Sequence, residues 1–544
     1  MEFSRFIAIS TSFLAFSSPS ALEIASARVA SLASRRTMLQ RTVRNALDIP
    51  EDWQILSNSG DAQYTAALTV GGQTFNAILD SGSFDILLFS KRCTFMCGDI
   101  TKLYDVDKST TYSQGSINSQ QIFGSGSTLS EEGWESISIG GDTVKEQIFW
   151  MVYDADMPIL WDSSFQAIVG LGPPGSAIKL AEADALDAEE KLEALQERGS
   201  ASEQDLATAQ KLADHYERVV NHTKGENASG LVKNLGLETW SICLGKVYGS
   251  DGYFIWKDTL PQNEPKGVFQ TVPVLNDMYW STPLANVSLA KLPGIINDKT
   301  TPLGCHDKKC NAIFDTGTSL IMMPSSAFDM VQDALEKWRA LSGNCKDLSS
   351  LPDLVFMIGD VRIRLPPESY VGDLTGDADS LRPELYEHMP HLKEAFAARD
   401  ARQALLKERA SGLDLDSGNS SDFSDFSEYW EDSEDLDSCA PLLMTLDMET
   451  EYGEAWLFGL PFFRSYYTSF KFDLHGNPRF PVGESISFAK TDPKCQPISH
   501  VAPEAEQFLP VMDHDSAHRV RLDVSKIRVP GWLSKTLAEK HARH

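Results

Sequence analysis

The chain has 544 residues, more than one ordinary globular core holds, so at least two lobes are expected. Apolar residues make up 42% and aromatics 10%, which excludes a chain disordered throughout. Lys and Arg number 48 against 77 Asp and Glu, a net charge of −29, and this acidity argues against a nucleic-acid binder, which would carry a basic footprint.

At the N-terminus, Arg5 precedes an apolar-rich run from Phe6 to Phe16, with small residues near Ser18–Ala21. Residues 1–21 read as a secretory signal peptide, with an uncleaved anchor as the alternative. No later run reaches the roughly 18 apolar residues of a membrane span, so no stable span is expected. Residues 22–53 contain Arg28, Arg35, Arg36, Arg41 and Arg44, with no acid between 24 and 47. A basic segment ahead of an acidic body reads as a detachable propeptide, or more plainly as a flexible arm.

From residue 54 to 172 the chain reads as short strands broken by Gly, Ser and Asn. Tyr64–Val70, Thr74–Leu79, Ile86–Phe89 and Ser136–Ile139 are examples. Within 173–232 the period changes. Ile178, Ala181, Ala185, Ala188, Leu192 and Leu195 follow heptad spacing, as do Leu206, Ala209, Ala213, Tyr216 and Val220. Ser202 and Asp205 have capping-box spacing. The segment predicts a helical hairpin inserted into a β protein, either self-packed or a docking arm for a partner.

Strands resume over 233–374, with a helix-like stretch at 326–341 and strands again at Leu354–Leu365. Residues 375–437 break the pattern and carry seventeen acids against six bases. Their first half, Arg382–Arg409, has helical character. The second, Ser411–Asp437, has ten acids and no base and reads as disordered, a solvated loop or a site for a basic partner. Leu442–Met444, Ala455–Phe458 and Tyr467–Phe472 restore strands within 438–489, and 490–544 is an unassigned extension. Asn221, Asn227, Asn286 and Asn419 head glycosylation sequons.

The eight cysteines include two close pairs, Cys93 with Cys97 and Cys305 with Cys310. Neither spacing is that of a zinc ribbon, and small disulfide loops formed in an oxidising compartment are the better reading. Cys243 and Cys495 either pair or leave Cys243 a buried thiol.

One internal repeat carries the chemistry. Asn76-Ala77-Ile78-Leu79-Asp80-Ser81-Gly82-Ser83 recurs as Asn311-Ala312-Ile313-Phe314-Asp315-Thr316-Gly317-Thr318. Each copy is an apolar strand ending in a carboxylate, a hydroxyl, a glycine and a second hydroxyl. A buried carboxylate needs hydrogen bonds. Gly82 and Gly317 admit backbone N–H groups, Ser83 and Thr318 supply hydroxyls, and Ser81 and Thr316 can bond across the two loops. If the copies meet about a twofold axis, Asp80 and Asp315 share a proton, because two adjacent carboxylates do not both ionise easily. Such a pair is a general acid–base device for hydrolysing a peptide bond with water.

With these motifs the sequence resembles the pepsin-like family of aspartic proteases. Ile122-Phe123-Gly124-Ser125 resembles that family's flap, and Phe165-Gln166-Ala167-Ile168-Val169-Gly170 and Trp456-Leu457-Phe458-Gly459 resemble the segments behind its two aspartates. The resemblance implies an all-β bilobal fold and a catalytic pair Asp80 and Asp315. It also implies a third disulfide, between Cys345 and Cys439, and a substrate pocket near Phe123, Gly124 and Leu87. No metal or organic cofactor is implied. The expected partner is a peptide or protein substrate, not nucleic acid, and the expected place is the secretory pathway, secreted or in an acidic vesicle. Two positions depart from the family. Phe123 stands where the flap has Tyr, and Leu87 replaces the Trp that bonds to that Tyr. The expected function is an aspartic endopeptidase active in acid; the alternative is a catalytically weak binding protein on the same fold.

Overall fold

A computed structural model describes residues 50, 52–375, 389, 439–492, 494–497 and 520–529, except 95, 124–125, 162, 174, 199–201, 225–229, 277, 291–299, 343–347, 349–350 and 475–481. The signal and most of the basic segment lie outside these, as do Arg382–Arg409 apart from Met389, Ser411–Asp437 and Cys345. Among the described residues the strands form sheets of thirteen, nine and three members, as expected of an all-β bilobal protein.

Each half is built on the same four-strand arrangement. In the first, Gln73–Asp80 runs parallel to Ala167–Gly170, with Asp80 opposite Gly170. Ile86–Phe89 lies antiparallel on the other side of Ala167–Gly170 and parallel to Asp142–Asp156. In the second, Cys310–Phe314 runs parallel to Gly453–Phe458, with Phe314 opposite Phe458. Ile321–Met323 is antiparallel to Gly453–Phe458 and parallel to Leu443–Thr445. Ala167–Gly170 and Cys310–Phe314 are buried at every position. That explains their unbroken apolar runs, since a parallel strand with both faces covered has no solvent face to alternate with.

The outer hairpins read differently. Gly126–Ile139 alternates buried with part-exposed positions along one solvated face. Its turn is Gly140-Gly141, with φ of 61° and 89°, and Gly71-Gly72 repeats the device at 55° and 76°. Two successive positive φ angles match the twist of a two-residue hairpin, and glycine adopts them without strain.

The large sheet is shared between the halves. Thr239–Cys243, Gly252–Trp256, Tyr466–Asp473 and Val482–Lys490 join it to the first-half strands. Aromatic packing fixes this seam. Trp240 stacks on Phe254 at 5.1 Å and on Phe470 at 4.1 Å, while Trp280 packs edge-on to Phe470 at 5.0 Å. Each such side chain contributes about 2–3 kcal/mol by burial. The Trp280 indole also donates to the Leu171 carbonyl at 3.1 Å, bonding the second half to the residue after Gly170.

Helices Gly175–Arg198 and Glu203–Thr223 pack against each other where the heptad spacing places them. The buried positions include seam residues Ala181, Ala188 and Ala213. Ser202 and Asp205 form the reciprocal cap, with the Asp205 N–H donating to Ser202 Oγ at 3.1 Å. His222 meets the fully buried Glu132 side chain at 2.5 Å and ties the pair to the first-half sheet. Helix Ser325–Ser342 and the hairpin Asp353–Ile358/Val361–Leu365 also follow the sequence reading.

Among the described residues three disulfides join Cys93 to Cys97, Cys305 to Cys310, and Cys243 to Cys495. The last settles the open choice: Cys243 is not a thiol. The C-terminal extension, unassigned from sequence, enters the fold. Arg521–Asp523 runs parallel to Val371–Thr375 in a three-stranded sheet completed by Cys439–Pro441. Val520, Leu522, Val524, Ile527 and Val529 are buried in one cluster with Ile313, Leu320, Met444 and Leu457.

Candidate active site

The two repeat loops meet. Asp80 ends its strand and Asp315 directly follows its own; they are 5% and 2% exposed. Gly82 N–H donates to Asp80 Oδ1 at 2.9 Å and Ser83 Oγ donates to Oδ2 at 2.9 Å. The other loop repeats this: Gly317 N–H donates to Asp315 Oδ1 at 2.7 Å and Thr318 Oγ1 to Oδ2 at 2.7 Å. A Cβ built on Gly82 would lie 2.7 Å from all three atoms of the Asp315 carboxyl group, and one on Gly317 would strike the Asp80 carboxyl. Here glycine is required by the close approach of the opposite carboxyl rather than by an unusual φ.

Below the carboxylates the loops interlock. Ser81 N–H donates to Thr316 Oγ1 at 2.9 Å, and Thr316 N–H donates to Ser81 Oγ at 2.9 Å. Ser81 Oγ then donates to the Phe314 carbonyl at 3.0 Å, and Thr316 Oγ1 to the Leu79 carbonyl at 2.6 Å. Each hydroxyl thus bonds two main-chain groups of the opposite repeat. The paired strands behind also hold the aspartates: Leu171 N–H donates to the Asp80 carbonyl and Asp315 N–H to the Phe458 carbonyl.

The two carboxyls are close neighbours, each within about 3 Å of where a Cβ on the opposite loop's glycine would sit. Burial first, and then the Asp80 charge beside it, push the Asp315 carboxyl up to about 7, against the smaller opposing effect of the Thr318 and Gly317 bonds. Asp315 therefore keeps its proton beside Asp80 up to about pH 7.

Other expected site residues fall as follows. Phe123 closes the strand Ser113–Phe123 and pairs with Gly126; Gly124 lies outside the described residues. Leu87 is buried in the first-half core with Ile78, Phe89, Trp150 and Ile168. Asn221 is exposed on its helix and Asn286 is exposed on the strand Ser281–Ala290, while Asn227 and Asn419 lie outside the described residues. Cys305, Cys310 and Glu454 come within metal-ligand reach of one another, but the two sulfurs are already bonded together. Sequence reasoning missed Arg528, whose Nη2 lies 3.6 Å from Asp80 Oδ2. The one available signal was the alternation Val520-Arg521-Leu522-Asp523-Val524, which marks a half-buried strand.

The family model for eukaryotic aspartyl proteases matches residues 63–194 and 233–380, more than half of the chain. Residues 195–232, which include the whole of the second hairpin helix, fall between the matched parts. Pepsin II-1 of Oryctolagus cuniculus is 26% identical over 332 residues, covering 60% of this chain and 72% of that protein. Pepsin A of Sus scrofa is 24% identical over 421 residues, covering 76% and 80%. Pepsin-2B of Gadus morhua is 25% identical over 323 residues, covering 58% and 83%.

Proposed function

The chain belongs to the pepsin-like family of eukaryotic aspartyl proteases, and we propose that it is an endopeptidase that cleaves peptide bonds in acid with Asp80 and Asp315 as its catalytic pair. The observation that carries this reading is the near-twofold carboxyl pair, each member held by a glycine N–H and a hydroxyl and facing the other across the two glycines. A water between the carboxyls loses a proton to the ionised member and attacks the peptide carbonyl. The protonated member donates to the carbonyl oxygen as the tetrahedral centre forms. Collapse of that centre breaks the C–N bond, and the proton first taken from water passes to the leaving nitrogen. Asp315, whose carboxyl is pushed up by burial, suits the acid role and Asp80 the base role. The glycine N–H groups and hydroxyls keep both carboxyls oriented, so little rearrangement is needed at reaction.

Three disulfides among the described residues fit an oxidising compartment, which supports the secretory pathway, with secretion or an acidic vesicle as the destination. Among those residues no helix is long and apolar enough to cross a membrane. Segments 173–232 and 375–437 are read as insertions into the catalytic body.

The test is cleavage of an unfolded protein from about pH 3 to 7, with and without a statine-type transition-state inhibitor. Asp80→Asn and Asp315→Asn run beside the wild type. Acid-dependent cleavage blocked by the inhibitor and lost in both variants is expected. Folded protein that binds the inhibitor but cleaves nothing, even with its C-terminal segment released, would instead favour a peptide-binding homologue.

A further inference from the structure

The described part of the C-terminal extension, residues 520–529, reaches the catalytic pair. Three anchors lead it there. Arg521 N–H donates to the Asp61 carboxylate at 3.1 Å, Asp523 N–H to the Gly60 carbonyl at 2.8 Å, and the Gln63 amide to the Lys526 carbonyl at 3.1 Å. Arg528 then grips Ser319 at two points. Its N–H donates to Ser319 Oγ at 2.8 Å, and its carbonyl accepts from Ser319 N–H at 2.9 Å. Its guanidinium lies 5.3 Å over the Phe165 ring and 3.6 Å from Asp80 Oδ2. Arg528 and Val529 are each 3% exposed.

Arg528 thus offers both its main-chain groups to one residue, its N–H to the Ser319 hydroxyl and its carbonyl to the Ser319 N–H, which seats the segment in an extended form. Ser319 adjoins Thr318, whose hydroxyl holds Asp315. Arg528 holds the Ser319 N–H and hydroxyl beside the Asp315 loop, and its guanidinium stands by Asp80 Oδ2 of the other loop, so the segment spans the catalytic pair a substrate must reach.

The grip is incomplete in a telling way. Among the described residues, Nε and Nη1 of Arg528 are buried with no hydrogen-bond partner, and the 3.6 Å approach to Asp80 is an ion pair without a hydrogen bond. A buried cation so poorly satisfied is weakly held. The backbone bonds and the apolar anchors Ile527 and Val529 seat the segment, while the arginine makes it displaceable. We propose that residues 520–529 are an intramolecular occupant of the substrate groove, with Arg528 beside the catalytic pair, and that the enzyme stays latent until this segment leaves. The proposal rests on the endopeptidase reading only for the word latent; occupancy of the groove is a separate, measurable fact.

The test uses the full chain, folded intact, with a recognition sequence for a specific protease placed between residues 500 and 518. It is compared before and after cutting, and with Arg528→Ala in the uncut chain. Calorimetry with a statine-type inhibitor reads groove access, kcat/KM reads turnover, and circular dichroism confirms the fold. Because a tethered segment competes at high effective concentration, its release or weakening is expected to tighten inhibitor binding and raise kcat/KM by about tenfold or more. A synthetic peptide of residues 518–533 returned to the cut protein reverses the gain, and the same peptide with Arg528→Ala does so less well. Inhibitor affinity and turnover unchanged by both cutting and Arg528→Ala overturn the proposal. So does a fall in both with the fold retained, which would make Arg528 part of the working site. Tighter inhibitor binding with no peptide bond cleaved would keep the occupant and sink the protease. Full turnover by the uncut chain, equal in every variant, would do the reverse.

Discussion

Removing one hydroxyl from the interlock beneath the carboxyls tests whether the two repeats are held together as the geometry implies. Ser81→Ala deletes a donor to the Phe314 carbonyl and an acceptor for Thr316 N–H, at 3.0 and 2.9 Å. Both partners are buried, so water cannot replace the lost hydroxyl. Two net hydrogen bonds are worth about 1 kcal/mol each, and a stranded buried N–H costs a further ~1–3 kcal/mol. The expected loss is about 3–5 kcal/mol. Thr316→Val, which keeps the shape, strands Ser81 N–H and the Leu79 carbonyl and costs a similar amount. The two losses will not add. Once one loop has slipped from the other, the second hydroxyl has less to hold, and a coupling of at least about 1 kcal/mol is expected in the double variant. Urea unfolding followed by two probes measures all three, provided the transitions coincide and the slope is unchanged. The carboxyls are positioned by these loops, so kcat should fall more than KM rises. Single losses below about 0.5 kcal/mol, or strict additivity, would refute the interlock as the source of the site's rigidity.

Three further outcomes are expected. Gly82→Ala and Gly317→Ala place a methyl against the opposite carboxyl, and should cost about 1–3 kcal/mol in thermal unfolding while abolishing turnover; a variant that remains active shows the loops have room to move. The raised Asp315 carboxyl means that the folded chain binds more protons than the unfolded one between the ordinary carboxylate range and about pH 7. This contribution to stability is complete in acid and is lost as pH rises through about 7, with a slope of at most about 1.4 kcal/mol per pH unit. The wild-type minus Asp315→Asn difference in unfolding free energy should therefore decline from pH 4 to 8, and a flat or rising difference contradicts the assignment. Cys243→Ser with Cys495→Ser opens a loop spanning 252 positions and should cost about 2–5 kcal/mol in urea, whereas an unchanged midpoint would mean the ends are held without the bond.

The parts of the fold that were legible are those where a local pattern and a tertiary need coincide. The heptad seams foretold two helices because Ala181, Ala188 and Ala213 have neighbours to pack on only if that period is kept. Ile86–Phe89 was readable because a short buried strand is apolar throughout. The shared thirteen-stranded sheet was not readable, since nothing in Tyr466–Asp473 states that it pairs with Thr239–Cys243 more than two hundred positions earlier. The pairing of Cys243 with Cys495 is hidden for the same reason: spacing carries no information about which ends of a long loop meet.

The candidate site divides along the same line. Asp80, Gly82 and Ser83 bond within four consecutive residues, so their geometry is written locally, twice. The cross bonds of Ser81 and Thr316 span 235 positions yet were still inferable, because a repeat that closes on itself about a twofold axis brings equal positions together. Arg528 has no such symmetry to announce it. It reaches Asp80 from the far end of the chain through anchors at Gly60, Asp61, Gln63 and Ser319, none of which carries a motif. A duplicated half predicts its own counterpart but nothing that breaks the duplication, and Arg528 breaks it: its guanidinium lies 3.6 Å from Asp80 while its backbone bonds Ser319 of the other repeat. A segment outside the duplication that bridges both repeats is thus legible as a strand but silent about its destination.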